Sequence, residues 1–163
     1  MFKDEEYIIR KNKNLKYNHV VPIDLDNIPK DEIKLALKEF SEGSFGLETC
    51  LSIMWKNNLK TKTCCAGEYG DYDEAYILMD EKVDLFRYLS EDLLNNDMVA
   101  IEKIYDKQRI SFCGTIDEKE QLLKELANCI MSGKKNHDQL VRKKLKKGYS
   151  NIYLQKKRKI ISR

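Results

Sequence analysis

The sequence predicts an α+β fold: a four-stranded, mainly antiparallel sheet with helices packed on one face, followed by a basic helical C-terminal arm. Three observations support this prediction. Apolar residues recur at helical spacing in several segments, short stretches of alternating polarity lie between them, and lysine and arginine concentrate at the C-terminal end. We therefore expect an acidic α+β domain over residues 1–133 and a basic arm over 134–163.

Two helices are predicted first. Asp31 is a residue type that favours the N-cap position, so a helix is expected over 31–41, with Gly43 ending it. Ser44 is expected to cap a second helix. The apolar stripe of that second helix comprises Leu47, Cys50, Leu51, Met54 and Trp55.

Two hairpins are predicted to build the sheet. A turn-rich loop over 66–74 separates the strands of the first pair, and Asp106-Lys107-Gln108 forms the turn of the second. The four strands are expected at 59–65, 75–79, 98–105 and 109–116.

Two further helices complete the predicted domain. Asp80 is expected to cap the first of them. Asp117 and Glu120 have the spacing of a capping box for the second, and Gly133 is a C-terminal stop. The buried face of the helix after Asp80 is predicted to be Val83, Phe86, Leu89 and Leu93.

The charges are distributed unevenly along the chain. The net charge is +3, but residues 134–163 hold twelve Lys/Arg against one acidic residue, whereas residues 1–133 hold eighteen Lys/Arg against twenty-six Asp/Glu. The arm therefore carries +11 and the domain −8. An acidic body with a basic arm is typical of a protein with a polyanionic partner, here nucleic acid or a nucleoprotein complex.

The arm is predicted to contain a helix that Asp138 caps and Gly148 ends. Its basic and aromatic side chains suit phosphate neutralisation combined with base stacking. A solvated tail, a helix packed on the acidic body and a homo-oligomer contact are the alternatives. The candidate nucleic-acid-binding residues are Arg142, Lys143, Lys144, Lys146, Lys147, Tyr149, Tyr153, Lys156, Lys157, Arg158 and Lys159.

No membrane segment is expected, because the sequence contains no run of eighteen apolar residues. The N-terminus has no apolar region of the kind found in signal peptides, so a cytoplasmic location is predicted. The five cysteines are then expected to stay reduced. Cys50 and Cys129 are interpreted as buried thiols on helix faces.

The remaining cysteines form a candidate site at the ends of strands. Cys64 and Cys65 end one predicted strand and Cys113 ends another. If those strands were neighbours, three thiols could converge to attack an electrophile or, with His137 or Asp73, to hold a metal. Adjacent residues of a strand point to opposite faces, however, and the spacing is not that of a Cys-x-x-Cys pair. We therefore assign no catalytic residue and no metal site.

The loop over 66–74 is rich in carboxylates, which in principle attract a divalent cation. Its spacing differs from that of a calcium loop, so a solvated acidic turn is the favoured interpretation. The sequence has no phosphate-binding glycine loop, dinucleotide fingerprint or serine nucleophile elbow, and no cofactor is expected. The carboxylates are Glu68, Asp71, Asp73 and Glu74.

The stretch around the cysteine pair resembles known families. Residues 47–55, 59–67 and 75–77 resemble small uncharacterised bacterial and phage proteins that carry a helix, a Lys-Thr strand, a Cys-Cys-x-Gly turn and then Tyr-Ile. The same stretch is similar to the wybutosine-synthesis methyltransferase family of tRNA modification. That family has a Thr-Thr-Ser-Ser-Cys-Ser-Gly-Arg run, with which Thr63, Cys64, Cys65 and Gly67 align, while Glu68 replaces the basic residue.

These observations lead to one principal function and two alternatives. The principal prediction is a small non-enzymatic protein that binds nucleic acid or a nucleoprotein complex through its basic arm. The phage resemblance implies an inhibitor of a host nucleic-acid defence system, an anti-CRISPR-like role. The second resemblance implies an S-adenosylmethionine-dependent tRNA-modifying enzyme with Cys64, Cys65 and Cys113 lining its site. The third hypothesis is an assembly protein that associates through the apolar-aromatic patch at 149–154.

Overall fold

The computed structural model describes residues 15–18, 21–67, 73–149 and 153–155. Its strands form a single four-stranded antiparallel sheet, and helices pack on that sheet, so the α+β prediction is confirmed. The strands are β1 (Thr63–Cys65), β2 (Ala75–Asp80), β3 (Val99–Ile104) and β4 (Lys107–Phe112). Their spatial order is β1-β2-β4-β3, so the second hairpin joins the first through β4.

Alternation along the strands gives the sheet one apolar face and one mixed face. A single row of paired residues across the sheet illustrates each face. The row on the core face is fully buried: Cys64, Ile77, Ile110 and Ile101. The neighbouring row on the outer face mixes polar and apolar side chains: Cys65, Tyr76, Ser111 and Ala100.

Five α-helices and three short 3-10 turns lie within the described residues up to 149, and the described residues 153–155 are helical as well. The 3-10 turns are Leu25–Asn27, Lys30–Glu32 and Phe86–Tyr88. None of the helices in the described ranges combines the length and apolar character required to cross a bilayer. The α-helices are α1 (Ile33–Phe40), α2 (Phe45–Lys56), α3 (Glu91–Leu94), α4 (Ile116–Ser132) and α5 (Asp138–Lys147).

The first two helices largely follow the prediction. Asp31 is not an N-cap, because it lies inside the 3-10 turn that precedes α1. Ser44 does cap α2, since its Oγ accepts a hydrogen bond from the Leu47 N–H at 3.0 Å. The predicted stripe of α2 is buried in the core. Strand β1 is shorter than the predicted 59–65, and Thr61 before it is buried with its Oγ1 accepting from Trp55 Nε1 at 2.9 Å.

Helix α4 begins with a capping box two residues earlier than predicted. Thr115 accepts from the Glu118 N–H, and the Glu118 carboxylate accepts from the Thr115 N–H, both at 3.2 Å. Asp117 therefore lies inside the first turn, where a negative charge is still favourable. Gly133 ends the helix in the left-handed conformation with φ of 70°, as predicted.

Glu120 joins α4 to α2 instead of capping its own helix. Its carboxylate accepts a hydrogen bond from the Gly46 N–H at 2.7 Å and another from Ser44 Oγ. Gly46 allows this close approach, because a Cβ there would lie 3.0 Å from the Glu120 carbonyl oxygen and 3.1 Å from Leu123 Cβ. One orphan amide at the start of α2, that of Gly46, is thus satisfied by a neighbouring helix, and that of Leu47 by the N-cap Ser44.

The prediction of a helix that starts at Asp80 is wrong. Asp80 is the last residue of β2. Buried Gln108 on β4 donates from Nε2 to the carbonyls of Asp80, at 2.8 Å, and of Val83, and these bonds hold the chain in a turn. A 3-10 turn then covers 86–88, and Ser90 caps the short helix α3.

Candidate nucleic-acid interface

The basic arm begins with a helix that is packed on the domain. Helix α5 lies against β3, which is an edge strand of the sheet, and against α3 and the 3-10 turn at 86–88. Val141 on its inner face is buried within the core, and Leu140 and Leu145 pack against that core. The helix spans the predicted segment and ends at Gly148, but His137 rather than Asp138 is its N-cap residue.

Lys144 lies on the buried face of α5, so it is not placed to bind a phosphate. Only 2% of this residue is exposed, and its Nζ donates to the Asn96 carbonyl at 2.7 Å. Burial lowers the pKa of Lys144 to about 8, and the nearby charge of Lys147 adds to the decrease. Lys147 itself is exposed and lies 3.5 Å from the Asp97 carboxylate.

The opposite face of α5 presents three exposed cations: Arg142, Lys143 and Lys146. We call these three residues the basic ridge. None of their side chains forms an ion pair or hydrogen bond with another residue in the part of the chain that the structure describes. The spacing of i, i+1 and i+4 places all three on one side of the helix. The basic ridge therefore keeps its charge available to a partner.

Some of the arm's other charges are used within the protein. Lys135 lies 2.9 Å from Asp84, and Asp138 lies 3.3 Å from Arg87. Such exposed pairs contribute little to stability. The inner face of α5 therefore packs on the acidic body, as one of the alternatives expected, whereas the basic ridge does not. The remaining predicted cations, Lys156, Lys157, Arg158 and Lys159, lie outside the described residues.

The two tyrosines of the arm pack on the protein itself. Tyr153 is fully buried, and its ring centroid lies 4.9 Å from that of Tyr149. Burial, together with a hydrogen bond to the Cys113 thiol, raises the pKa of Tyr153 above its usual value. Burial also raises the pKa of Tyr149, with a smaller contribution from Cys113. In this arrangement neither ring is presented for stacking on a base.

The three cysteines do not line one site. Strand β2 separates β1 from β4, so the two cysteine-bearing strand ends are not neighbours. Cys64 faces the core, where its Sγ donates to the Phe40 carbonyl at 3.4 Å, while Cys65 faces the other side of the sheet. Cys113 is buried beside Tyr149 and Tyr153. Among the described residues, no group of three His, Cys, Asp or Glu side chains is arranged to hold a metal ion.

The thiols are also electrostatically unsuited to nucleophilic chemistry. Burial raises the pKa of Cys64 far above its usual value. Burial raises the pKa of Cys65 to about 11, and the nearby carboxylate of Glu42 adds to the increase. A reactive thiol or a metal ligand requires the opposite shift, because the thiolate is the active form.

The cysteine-pair turn instead closes a loop of the fold. Gly67 has φ of 63°, and a Cβ there would lie 2.8 Å from backbone atoms of Glu74 and Ala75. Lys119 of α4, only 2% exposed, donates from Nζ to the carbonyl of Gly67 at 2.6 Å and of Asp73 at 2.8 Å. One buried lysine thus binds the backbone at Gly67 and at Asp73, the two residues that flank segment 68–72. Glu68 and Asp71, two of the carboxylates named in the sequence analysis, lie in that segment and outside the described ranges.

A charged groove lies beside α5, and the sequence analysis did not identify it. It has a volume of about 290 Å³ and runs between α5, the turn at 81–87 and the end of the second hairpin. The sequence signal that could have indicated it is Lys103-Ile104-Tyr105, an aromatic residue in a hairpin turn close to a lysine. The basic residues that line the groove are Lys82, Arg87, Lys103 and Arg142.

A second cavity, of about 520 Å³, lies between the two N-terminal 3-10 turns, α1 and α2. Its wall is mainly apolar, and no described residue of the basic arm lines it. The residues that give it this character are Leu25, Ile28, Ile33, Leu37 and Trp55.

Comparisons with known proteins return no relative. No protein-family model matches the chain, and no curated protein and no solved structure matches it significantly. The function is therefore inferred from the geometry and charge of this chain's own residues.

Proposed function

We propose that this protein is a small non-enzymatic binding protein that engages nucleic acid, or the nucleic-acid component of a nucleoprotein complex, through helix α5. The observation that carries the proposal is the basic ridge. Its three cations are exposed on one helix face and make no ion pair within the described residues. The packing of α5 depends on the opposite face, so the ridge charges are not required for docking the helix.

The ridge has dimensions that suit a phosphate backbone. Arg142 and Lys146 are separated by four residues, or about 6 Å along the helix axis. Both side chains are long, so their charged ends can reach neighbouring phosphates of one strand. Because the buried face fixes the helix on the domain, the backbone positions of the three cations are set before binding, which lowers the entropic cost of association.

The geometry of the cysteines favours this proposal over a cysteine-dependent enzyme. Cys64 and Cys65 lie on opposite faces of the sheet, and the raised pKa of each thiol keeps it protonated near neutral pH. The assembly hypothesis depended on the patch at 149–154, in which Tyr153 is buried. The biological setting that we propose, from the phage resemblance, is inhibition of a host nucleic-acid defence system.

The test removes the ridge charge and compares it with an equal loss elsewhere. The ridge variant is R142Q/K143Q/K146Q, and the control is K34Q/K38Q/K56Q, which removes three exposed lysines from α1 and α2. Affinity for a labelled oligonucleotide of about 20 nucleotides is measured by fluorescence anisotropy across a salt series. Melting temperatures are recorded for both variants.

We expect the ridge variant to bind at least about tenfold more weakly, with the slope of log K against log salt reduced by about 2. The control should bind within about twofold of the unmodified protein, and both should melt close to it, because exposed substitutions change stability by about 0.5 kcal/mol or less. Equal affinities for the ridge variant and the unmodified protein, or no binding by the unmodified protein at low salt, would contradict the proposal.

A further inference from the structure

The turn of the second hairpin presents an aromatic side chain to solvent. Tyr105 is 96% exposed and has φ of 55°. Ile104 pairs with Lys107, so Tyr105 and Asp106 are the two central residues of a tight turn. Glycine is favoured where the first central residue has a positive φ, since a side chain is strained there. The tyrosine therefore occupies a strained position while gaining almost no packing within the described residues.

This turn adjoins one wall of the groove beside α5, although neither of its central residues lines the groove itself. The Glu81 N–H donates to the Asp106 carbonyl at 3.0 Å, and Glu81 lines the groove. Lys103, another lining residue, precedes Tyr105 by two residues, or about 7 Å along a strand. Arg142 lines the same groove and is also part of the basic ridge. The turn that carries Tyr105 thus adjoins the groove at Glu81 and Lys103, and Arg142 belongs to both the groove and the basic ridge.

The groove also has acidic residues, but two of them are engaged. Asp84 is paired with Lys135 at 2.9 Å, and Asp138 with Arg87 at 3.3 Å. Lys82, Lys103 and Arg142 form no ion pair with another described residue. Among the described lining residues, three cations and the Glu81 carboxylate therefore remain for a ligand, so the remaining local charge is positive.

We propose that this groove binds single-stranded nucleic acid, with phosphates on Lys103 and Arg142 and a base stacked on Tyr105. The inference rests on the proposed function and adds the strandedness and the stacking residue. Proteins that bind single strands combine a basic groove with aromatic side chains, since an unpaired base can offer its ring face. Bases stacked inside a duplex do not expose their ring faces, so the exposed Tyr105 ring predicts a preference for single strands over duplexes.

The substitution Tyr105→Gly separates this role from a structural one. Glycine relieves the left-handed strain, so the melting temperature should rise by a few degrees. Affinity for a labelled single-stranded DNA or RNA should nevertheless fall about tenfold, because the stacking contact is lost. Affinity for a duplex of the same length and sequence should stay unchanged. The matched control is Phe45→Ala, which removes a 68% exposed aromatic at the first residue of α2 and should leave both affinities unchanged.

A second variant reports the contact directly. In Tyr105→Trp, single-stranded oligonucleotide should quench the new indole fluorescence, whereas Trp55 is largely buried and should respond little. A loss on single-stranded DNA, on RNA or on both supports the inference. Unchanged single-strand affinity of Tyr105→Gly, or an equal loss on duplex, overturns it. If the ridge variant still loses binding in that case, the proposed function survives, whereas failure of the unmodified protein to bind any oligonucleotide defeats both.

Discussion

The strand end at Cys64–Gly67 and helix α5 both concentrate chemically conspicuous residues, and the fold uses them differently. At the strand end, Cys64 packs in the core, Cys65 lies on the outer face of the sheet, and Gly67 forms the tight turn after the strand. In α5, Val141 and Lys144 are buried on one side of the helix, and the basic ridge is exposed on the other.

The difference follows from the geometry of the two elements. A strand has a period of two, so both of its faces are used when one is in the core and the other is partly covered. A helix packed on one side keeps roughly half of its circumference in solvent. A cluster of reactive residue types therefore indicates a site only when a free face remains to present it.

The largest effect should come from Gly67→Ala, which tests whether the strand end is structural. A Cβ would meet backbone atoms at 2.8 Å with φ at 63°, so we expect a loss of about 3 kcal/mol or more of unfolding free energy in urea denaturation. Gly133→Ala is the control, since it has a similar φ of 70° but no atom within 4 Å of the added carbon. That change should cost about 1–2 kcal/mol. Equal losses would show that crowding at Gly67 is unimportant.

An intermediate effect should distinguish the two buried lysines. Lys119 makes two charge-assisted hydrogen bonds to carbonyls, whereas Lys144 makes one and has a lowered pKa. Lys119→Met should therefore cost about 2–4 kcal/mol in urea denaturation. Lys144→Met should lie within about 1 kcal/mol of the unmodified protein, because removing a poorly compensated buried charge offsets the lost bond. A larger cost for Lys144→Met would reverse the comparison.

The smallest effect should be the pH dependence that Lys144 creates. Its pKa is about 8 in the folded protein and near 10.5 when unfolded. Between these values the unfolded chain binds more protons, so stability rises with pH. Below about pH 8 both states are protonated, so the cost of burying the charged lysine is fully present and no longer changes with pH. We expect an increase of about 1–2 kcal/mol from about pH 7 to pH 9.5, measured by urea denaturation. Lys144→Met should lack the increase, and a parallel rise in that variant would assign it to other groups.

Local sequence signals predicted the elements whose ends depend on neighbouring residues. The Ser44 cap, the stripe of α2 and the stops at Gly133 and Gly148 depend on contacts within a few residues, and the structure confirms them. The helix predicted after Asp80 failed because the buried amide of Gln108, distant in sequence, holds that turn.

The candidate site was predictable in part. The distribution of charge along the sequence identified the basic arm. Once the docked face of α5 is known, helical spacing also predicts which of its cations are exposed and that Lys144 is not among them. Which face docks depends on β3 and α3, and the burial of Tyr153 depends on packing beside Tyr149 and Cys113, so neither follows from composition. Tyr105 was missed because its exposure and its positive φ are properties of a turn whose register only the paired strands define.

The carboxylate of Glu120 makes folding of the two largest helices interdependent. It accepts from the Gly46 N–H at the start of α2, from a position 74 residues later in the sequence. A nascent chain that has emerged only as far as β4 would retain the local Ser44 cap but lack this hydrogen bond, and the flank of α2 that packs on α4 would be uncovered. Productive folding therefore waits for synthesis of α4, and fragments divided between β4 and α4 are natural candidates for reassembly in trans.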